Sequence, residues 1–280
     1  MKKNEYSFGS RISINACGSG GEVLKCRRIS DGIEFAVKRI SKLLSRENHS
    51  QILVLQHLDH RNIIKLIDWF EDADKLYIVM ELAGGGDLCD RIMQQGRMAE
   101  KNAVLAFAQI LSAIGYMHSC NIMHCDIKPD NILYMSHDRV EIKVCDFGYA
   151  QPIKHSCQTL KHHGTMAYSA PEVIDGRPFD AKADMWSLGV LLYTMLAGFA
   201  PFGQRRSAVQ TDRIRKGELN FNHEVFHDVS PDAMDLIRRL VVVAPQQRLS
   251  AEEALRHRWI VNNANVEEGL FDRVGENWRR

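Results

Sequence analysis

Hydrophobic and polar positions change their period part-way along the chain. Up to residue 82 apolar positions alternate with polar ones in short runs, which predicts strands over 11–16, 22–29, 34–39, 63–71 and 76–82. Asp31-Gly32 and Asp72-Ala73-Asp74 supply turn residues between them. Residues 50–58 interrupt this pattern with Leu and Ile at helical spacing and predict one helix. Beyond the glycine-rich stretch Ala83-Gly84-Gly85-Gly86-Asp87-Leu88, helices dominate. The longest, 101–118, places Val104, Leu105, Phe107, Ala108, Leu111, Ile114 and Met117 on one broad face, which reads as core. One more strand is predicted over 139–145. The fold class is α+β, with a strand-rich part over 1–82, a helical part over 83–262 and a short polar tail over 263–280. No repeat or low-complexity tract is evident.

Composition narrows this picture by exclusion. With 45% hydrophobic and 25% charged residues in 280, the chain can bury full cores and has an ordinary soluble balance. A formal net charge of +1 gives no electrostatic case for nucleic acid or a membrane surface as partner. No run approaches the roughly 18 apolar residues of a membrane span, and the start Met1-Lys2-Lys3-Asn4-Glu5 has no apolar leader. Seven cysteines without a C-x-x-C pair suggest reduced thiols, and hence a cytoplasmic or nuclear setting.

Candidate chemistry concentrates in His124-Cys125-Asp126-Ile127-Lys128-Pro129-Asp130-Asn131. The acid Asp126 can take a proton from a hydroxyl, Lys128 can neutralise a transferring phosphate, and the Asn131 amide oxygen can hold a metal. Asp146, in Asp146-Phe147-Gly148, follows the 139–145 strand, and together with Asn131 offers two oxygen ligands suited to hard Mg²⁺. Gly18-Ser19-Gly20-Gly21 lies between two strand candidates. Alone it reads as a hairpin turn, but glycines also let a backbone approach phosphates closely. Lys38, ending Phe35-Ala36-Val37-Lys38 on the next strand, can then reach phosphate oxygens.

Taken in order, these stretches resemble the eukaryotic protein kinase family over roughly residues 8–261. Gly164-Thr165-Met166-Ala167-Tyr168-Ser169-Ala170-Pro171-Glu172, Asp184-Met185-Trp186-Ser187-Leu188-Gly189 and Gly198-Phe199-Ala200-Pro201-Phe202 match later family landmarks. Lys128 and Thr165 point to the serine/threonine type. Gly85-Gly86-Asp87-Leu88 and the ending Ala254-Leu255-Arg256-His257-Arg258-Trp259-Ile260 look most like the calcium/calmodulin-dependent kinase group. The resemblance implies a bilobal fold, with a small β-rich lobe holding one main helix, a larger helical lobe, and the active site in the cleft between. It implies ATP and Mg²⁺, and protein or peptide substrates bearing Ser or Thr. On this basis Asp126, Lys128, Asn131, Lys38 and Asp146 are catalytic, with Asn131 and Asp146 holding the metal. Asn15, Ala16, Gly18, Gly20 and Gly21 form the phosphate loop. Val23, Ala36 and Leu133 line an adenine site with Met80 at its back, and the backbones of Glu81 and Leu82 face the adenine edge. Arg248 matches an arginine that pairs with Glu172. Acids at the positions of Asp87 and Asp130 meet a substrate arginine in related kinases, which suggests basic-directed substrates; each could equally be a solvated charge.

Three departures from the pattern matter. Aligned without gaps, the loop glycines fall at Ala16, Gly18 and Gly21; alternatively Gly18, Gly20 and Gly21 are the three and the loop tip is short. Counted back from His60-Arg61-Asn62-Ile63, the helix glutamate that holds the strand lysine is Gln51, which can accept from Lys38 but without charge assistance. Cys125 replaces the arginine that pairs with a phosphorylated activation segment, so activity independent of Thr159 is expected. His155, Cys157, His162 and His163 are spaced too irregularly for a metal cluster and read as a solvated loop. The main rival reading is a pseudokinase or scaffold, favoured by Gln51 and Ala16 and opposed by the intact Lys38, Asp126, Asn131 and Asp146. A small-molecule phosphotransferase is disfavoured by the 164–172 motif. The tail, with Trp278 and Arg279-Arg280, is shorter than a calmodulin target, so calmodulin is not predicted.

Overall fold

A computed structural model describes residues 2–13, 21–42, 46–153, 165–203 and 207–263. Asn15, Ala16, Gly18 and Gly20 of the candidate loop lie outside the described residues, as do Thr159 and the His155–His163 group.

The first part is an antiparallel sheet of five strands: β1 (Tyr6–Ser13), β2 (Glu22–Arg28), β3 (Glu34–Ser41), β4 (Leu66–Glu71) and β5 (Lys75–Met80), in the order β1-β2-β3-β5-β4. Helix α1 (Arg46–His57) crosses over between β3 and β4. The period-2 alternation divides the sheet's two faces. Tyr6, Leu24, Cys26, Phe35, Val37, Phe70, Tyr77 and Val79 pack together on one, with Phe70 stacked between Tyr6 and Tyr77 at centroid distances of 5.7 and 4.9 Å. Ile40, Leu76, Ile78 and Met80 face the other way and merge with Ile52, Leu55 and Leu58 of α1 into the main core. Lys38 alternates onto this second face, between Ala36 and Ile40.

The second part is helical. Asp87 caps α2 (Leu88–Gln95), accepting from Asp90 N–H at 2.7 Å. Helix α3 (Glu100–Ser119) is buried along most of its length. Short strands β6 (Ile122–Met123), β7 (Ile132–Tyr134), β8 (Ile142–Val144) and β9 (Gln151–Pro152) follow, β7 pairing β8 and β6 pairing β9. Then come α4 (Pro171–Ile174), α5 (Lys182–Ala197), α6 (Ala208–Lys216), α7 (Pro231–Leu240), α8 (Ala251–Leu255) and α9 (Arg258–Asn263). Helix α5 is apolar almost all round and lies at the centre, packed by α3 and α7. Arg248 and Glu172, both buried, form a two-pronged pair at 2.6 and 2.8 Å, as the resemblance implied.

Between the two parts the chain runs Glu81–Gly86 over the β7–β8 hairpin. Gly84 and Gly85 N–H groups donate to Met135 and Tyr134 carbonyls. A Cβ at Gly85 would lie 2.5 Å from Ser136 O, so only glycine fits. Element boundaries depart from expectation at several points. β1 begins at Tyr6 because Tyr6 and Phe8 join the aromatic face; residues 63–65 precede β4, Ile63 bridging Val144; and only 142–144 of the 139–145 run pair as strand. α1 extends upstream to Arg46. Among the described residues no helix is long and apolar enough to cross a membrane.

Candidate active site

The loop between β6 and β7 is held from below by one acid. Asp184, buried in the first turn of α5, accepts from the His124 N–H at Oδ2 and the Cys125 N–H at Oδ1, each at 2.9 Å, and from His118 Nε2 at 2.9 Å. Burial opposes its charge, but these donors and the nearby His118 and His124 outweigh it and hold its carboxyl below the ordinary range. The clamp fixes a tight loop in which Cys125 takes φ +65°. The His124 ring completes it, with Nε2 donating to Cys145 O at 3.0 Å and Nδ1 accepting from the Asp126 N–H at 3.3 Å.

Within that frame Asp126 is buried, and two donors converge on a single oxygen. Asn131 Nδ2 reaches Asp126 Oδ2 at 2.9 Å and the Asp126 carbonyl at 2.7 Å, while Lys128 Nζ reaches the same Oδ2 at 2.8 Å. Burial lowers the Lys128 pKa, but the Asp126 charge overrides it, so the ammonium is held firmly charged.

Lys38 does not reach for the α1 glutamine. Its Nζ donates to Asp146 Oδ1 at 2.8 Å, a buried ion pair that joins β3 to the segment after β8. Burial raises the Asp146 pKa, but Lys38 more than compensates and the net displacement is downward. Asp146 sits at φ +60°, which turns Phe147 into the core 5.2 Å from the His124 ring. Gln51 is buried on α1, which packs against Phe147–Tyr149, and among the described residues its Oε1 has no hydrogen-bond partner. Gln51, which is able to accept from Lys38, does not do so here; the ammonium is paired with Asp146. A carboxylate at this spot outcompetes a neutral amide for a buried ammonium.

The remaining described candidates lie on strands β2, β3 and β7 and on the crossover. Val23 is paired with Lys38 across β2 and β3, and Ala36 with Met80 across β3 and β5. Leu133, on β7, bridges Asp87 just past the crossover. The Glu81 N–H is committed to Lys65 O at 3.0 Å, and its carboxylate to Lys65 N–H and Lys143 Nζ. Gly21 has a packing reason of its own, since a Cβ there would lie 2.8 Å from Arg39 O.

Among the described residues no group of three or more His, Cys, Asp or Glu is placed to hold a metal by itself. The cluster does suit Mg²⁺ arriving with a nucleotide. Asn131 spends its NH₂ on Asp126, which leaves its Oδ1 as a donor, and Asp146 supplies a carboxylate; phosphate and water oxygens complete such a sphere. Asp184, part of a stretch that matches only as a family landmark, and His118 do not stand out in the sequence as site-builders. One signal was available: an acid in the first turn of a helix whose neighbours, Ala183, Met185 and Trp186, are apolar.

Comparison with known proteins agrees with this geometry. The family model described as the protein kinase domain matches residues 16–260. The calcium/calmodulin-dependent protein kinase cmkA of Emericella nidulans is 35% identical over 275 residues, covering 98% of this chain and 66% of that protein. The calcium/calmodulin-dependent protein kinase of Metarhizium anisopliae is 35% identical over 290 aligned residues, covering 100% of this chain and 73% of its own length. Calcium-dependent protein kinase 5 of Plasmodium falciparum is 37% identical over 268 residues, covering 92% of this chain and 46% of that protein. The chain thus spans from about half to about three quarters of the lengths of these relatives.

Proposed function

Because this chain belongs to the protein kinase family, in its serine/threonine type and most like the calcium/calmodulin-dependent group, we propose that it is catalytically active, moving the ATP γ-phosphoryl group onto Ser or Thr hydroxyls of protein substrates. The observation that carries this reading is the convergence of Asn131 and Lys128 on one oxygen of Asp126. Oδ1 of Asp126 is thereby turned to the incoming hydroxyl, which it orients and from which it takes the proton. The hydroxyl oxygen bonds to the γ-phosphorus as the bond to the bridging oxygen breaks, and ADP leaves with that electron pair. Lys128 neutralises the transferring group, and Lys38 positions the α and β phosphates. Asn131 and Asp146 would hold Mg²⁺, which when bound offsets phosphate charge. Val23, Ala36, Met80 and Leu133 enclose the base, with the backbone from Glu81 to Leu82 along its edge; Asn15, Ala16, Gly18, Gly20 and Gly21 are assigned to the phosphates.

Substrate preference is proposed to be basic. Burial raises the Asp87 pKa, and the nearby charges of Asp90 and Asp130 raise it further. Such a crowded acidic site is relieved by an incoming guanidinium. Calmodulin is not among the proposed partners.

An arrayed peptide assay with Mg²⁺-ATP tests the reading. Transfer to serine peptides with basic flanks is expected, and Asp126→Asn is expected to reduce it by about 100-fold or more. Equal rates in the two proteins would overturn the assignment. Nucleotide binding without transfer by the wild type would favour the scaffold reading, which Gln51 and Ala16 support.

A further inference from the structure

We infer that the cleft between the end of α3 and the starts of α5 and α8 is a binding site for a small neutral phenol, whose occupancy reaches the catalytic loop through His118 and Asp184. The cleft holds about 230 Å³, and its walls, which include His118, Ala181, Lys182, Met185, Ala251 and Glu252, are mostly apolar. An apolar cavity of about 150 Å³ is enough to take benzene. This one therefore has room for a benzene ring with substituents.

His118 decides which polar group the ligand carries. Its Nε2 faces Asp184 Oδ2 at 2.9 Å, and that acid is buried, so the inner edge of the ring is committed. Nδ1, on the edge turned away from Asp184, makes no hydrogen bond among the described residues, although the side chain is only 13% exposed. A neutral ring that gives its Nε2–H to a carboxylate keeps a lone pair on Nδ1, which calls for a donor. Lys182 Nζ donates to Arg248 O at 2.5 Å and keeps further N–H groups, which call for an acceptor. A hydroxyl is both. A carboxylate brings no proton for Nδ1, and an ammonium would be repelled by Lys182. Among hydroxyls a phenol is the stronger donor, being far more acidic than an alkanol, and its ring suits the apolar walls.

The cleft also has a line to the catalytic loop. The Asp184 oxygen that faces His118 accepts the His124 N–H, and the other accepts the Cys125 N–H, each at 2.9 Å. A donor on Nδ1 polarises the ring and strengthens its Nε2–H toward Asp184, as hydrogen bonds in a chain do. The field at both loop amides changes with it.

Calorimetric titration and amide NMR of the full chain test this, using para-ethylphenol and, as a partner of the same shape without the hydroxyl, para-ethyltoluene. The phenol is expected to bind about fivefold more tightly than the hydrocarbon, the gain of one net hydrogen bond. It is also expected to shift the His124 and Cys125 amide resonances, which the hydrocarbon leaves nearly in place. Ala181→Phe, which sets a ring in the cleft, is expected to abolish binding of both. His118→Phe, with its melting transition checked, is expected to bring the phenol down to the affinity of the hydrocarbon. The inference is overturned if neither compound binds, if the two bind equally to wild type, if Ala181→Phe or a folded His118→Phe leaves phenol binding unchanged, or if the loop amides stay in place when the phenol is bound. The comparison of the two compounds on wild type needs no variant, so a His118→Phe protein that fails to fold leaves the test intact.

Discussion

At the scale of single residues, the catalytic loop's shape depends on a buried acid outside the proposed catalytic set. Asp184 accepts backbone N–H bonds on both oxygens and a third donor from His118. Asp184→Asn would aim an NH₂ at one of those N–H groups, losing a charge-assisted bond and facing a donor with a donor. We expect about 2 kcal/mol of lost stability in urea unfolding, with kcat falling several-fold while the nucleotide KM moves less. An unchanged kcat would show that the loop keeps its form without the clamp. Residue identity was legible wherever chemistry needs fixed spacing: Lys128 and Asn131 meet on Asp126, and Lys38 meets Asp146. Lys38's partner was not legible. Which acceptor wins a buried ammonium depends on how α1 and the Asp146 turn are placed around it, and that placement is set by packing far along the chain.

At the scale of elements, β6 and β9 tie the start of the activation segment to the catalytic loop. Met123 pairs with Gln151, and Gln151 Nε2 donates to Cys125 Sγ at 3.4 Å. The position that would be a phosphate-seeking arginine is thus a cysteine packed against this short ladder. No cation at 125 awaits a phosphate, so phosphorylation is expected to add little through this loop. Thr159→Ala is accordingly expected to keep peptide phosphorylation within about twofold of wild type. Loss of turnover in a folded Thr159→Ala protein would sink the idea. Long elements were read well because their apolar faces are wide: α3 is found one residue longer at each end than predicted. The early strands were read less well, because β1 starts among Tyr6 and Phe8, whose alternation shows only against the partners Phe35, Phe70 and Tyr77.

At the scale of the whole molecule, the segment between α1 and β4 staples the sheet to the helical part, and His60 is its titrating member. His60 Nδ1 accepts from the Asn62 N–H at 3.1 Å, so Nε2 carries the proton toward Ser112 Oγ, also at 3.1 Å; the ring stacks on Tyr116 at 5.2 Å. A protonated ring has no lone pair left for Asn62. Burial first, and then the positive charges of Arg61 and Lys143, against the opposing charge of Asp59, push its pKa down from 6.5 to about 4. The unfolded chain therefore binds this proton more readily than the folded one. The stability it protects is fully present above pH 6.5 and is lost as pH falls toward 4, by about 1.4 kcal/mol per unit and about 3 kcal/mol in all. His60→Asn keeps an acceptor for the Asn62 N–H and cannot titrate. Urea unfolding at pH 7.5, 6.5, 5.5 and 4.5 should show wild type losing stability across this window while His60→Asn stays comparatively flat. Carboxylates held below their ordinary range, such as Asp146 and Asp184, add their own loss only below about pH 4. Equal slopes in the two proteins between pH 6.5 and 4.5 would mean that the staple takes up its proton without strain, and that acid weakens this molecule elsewhere.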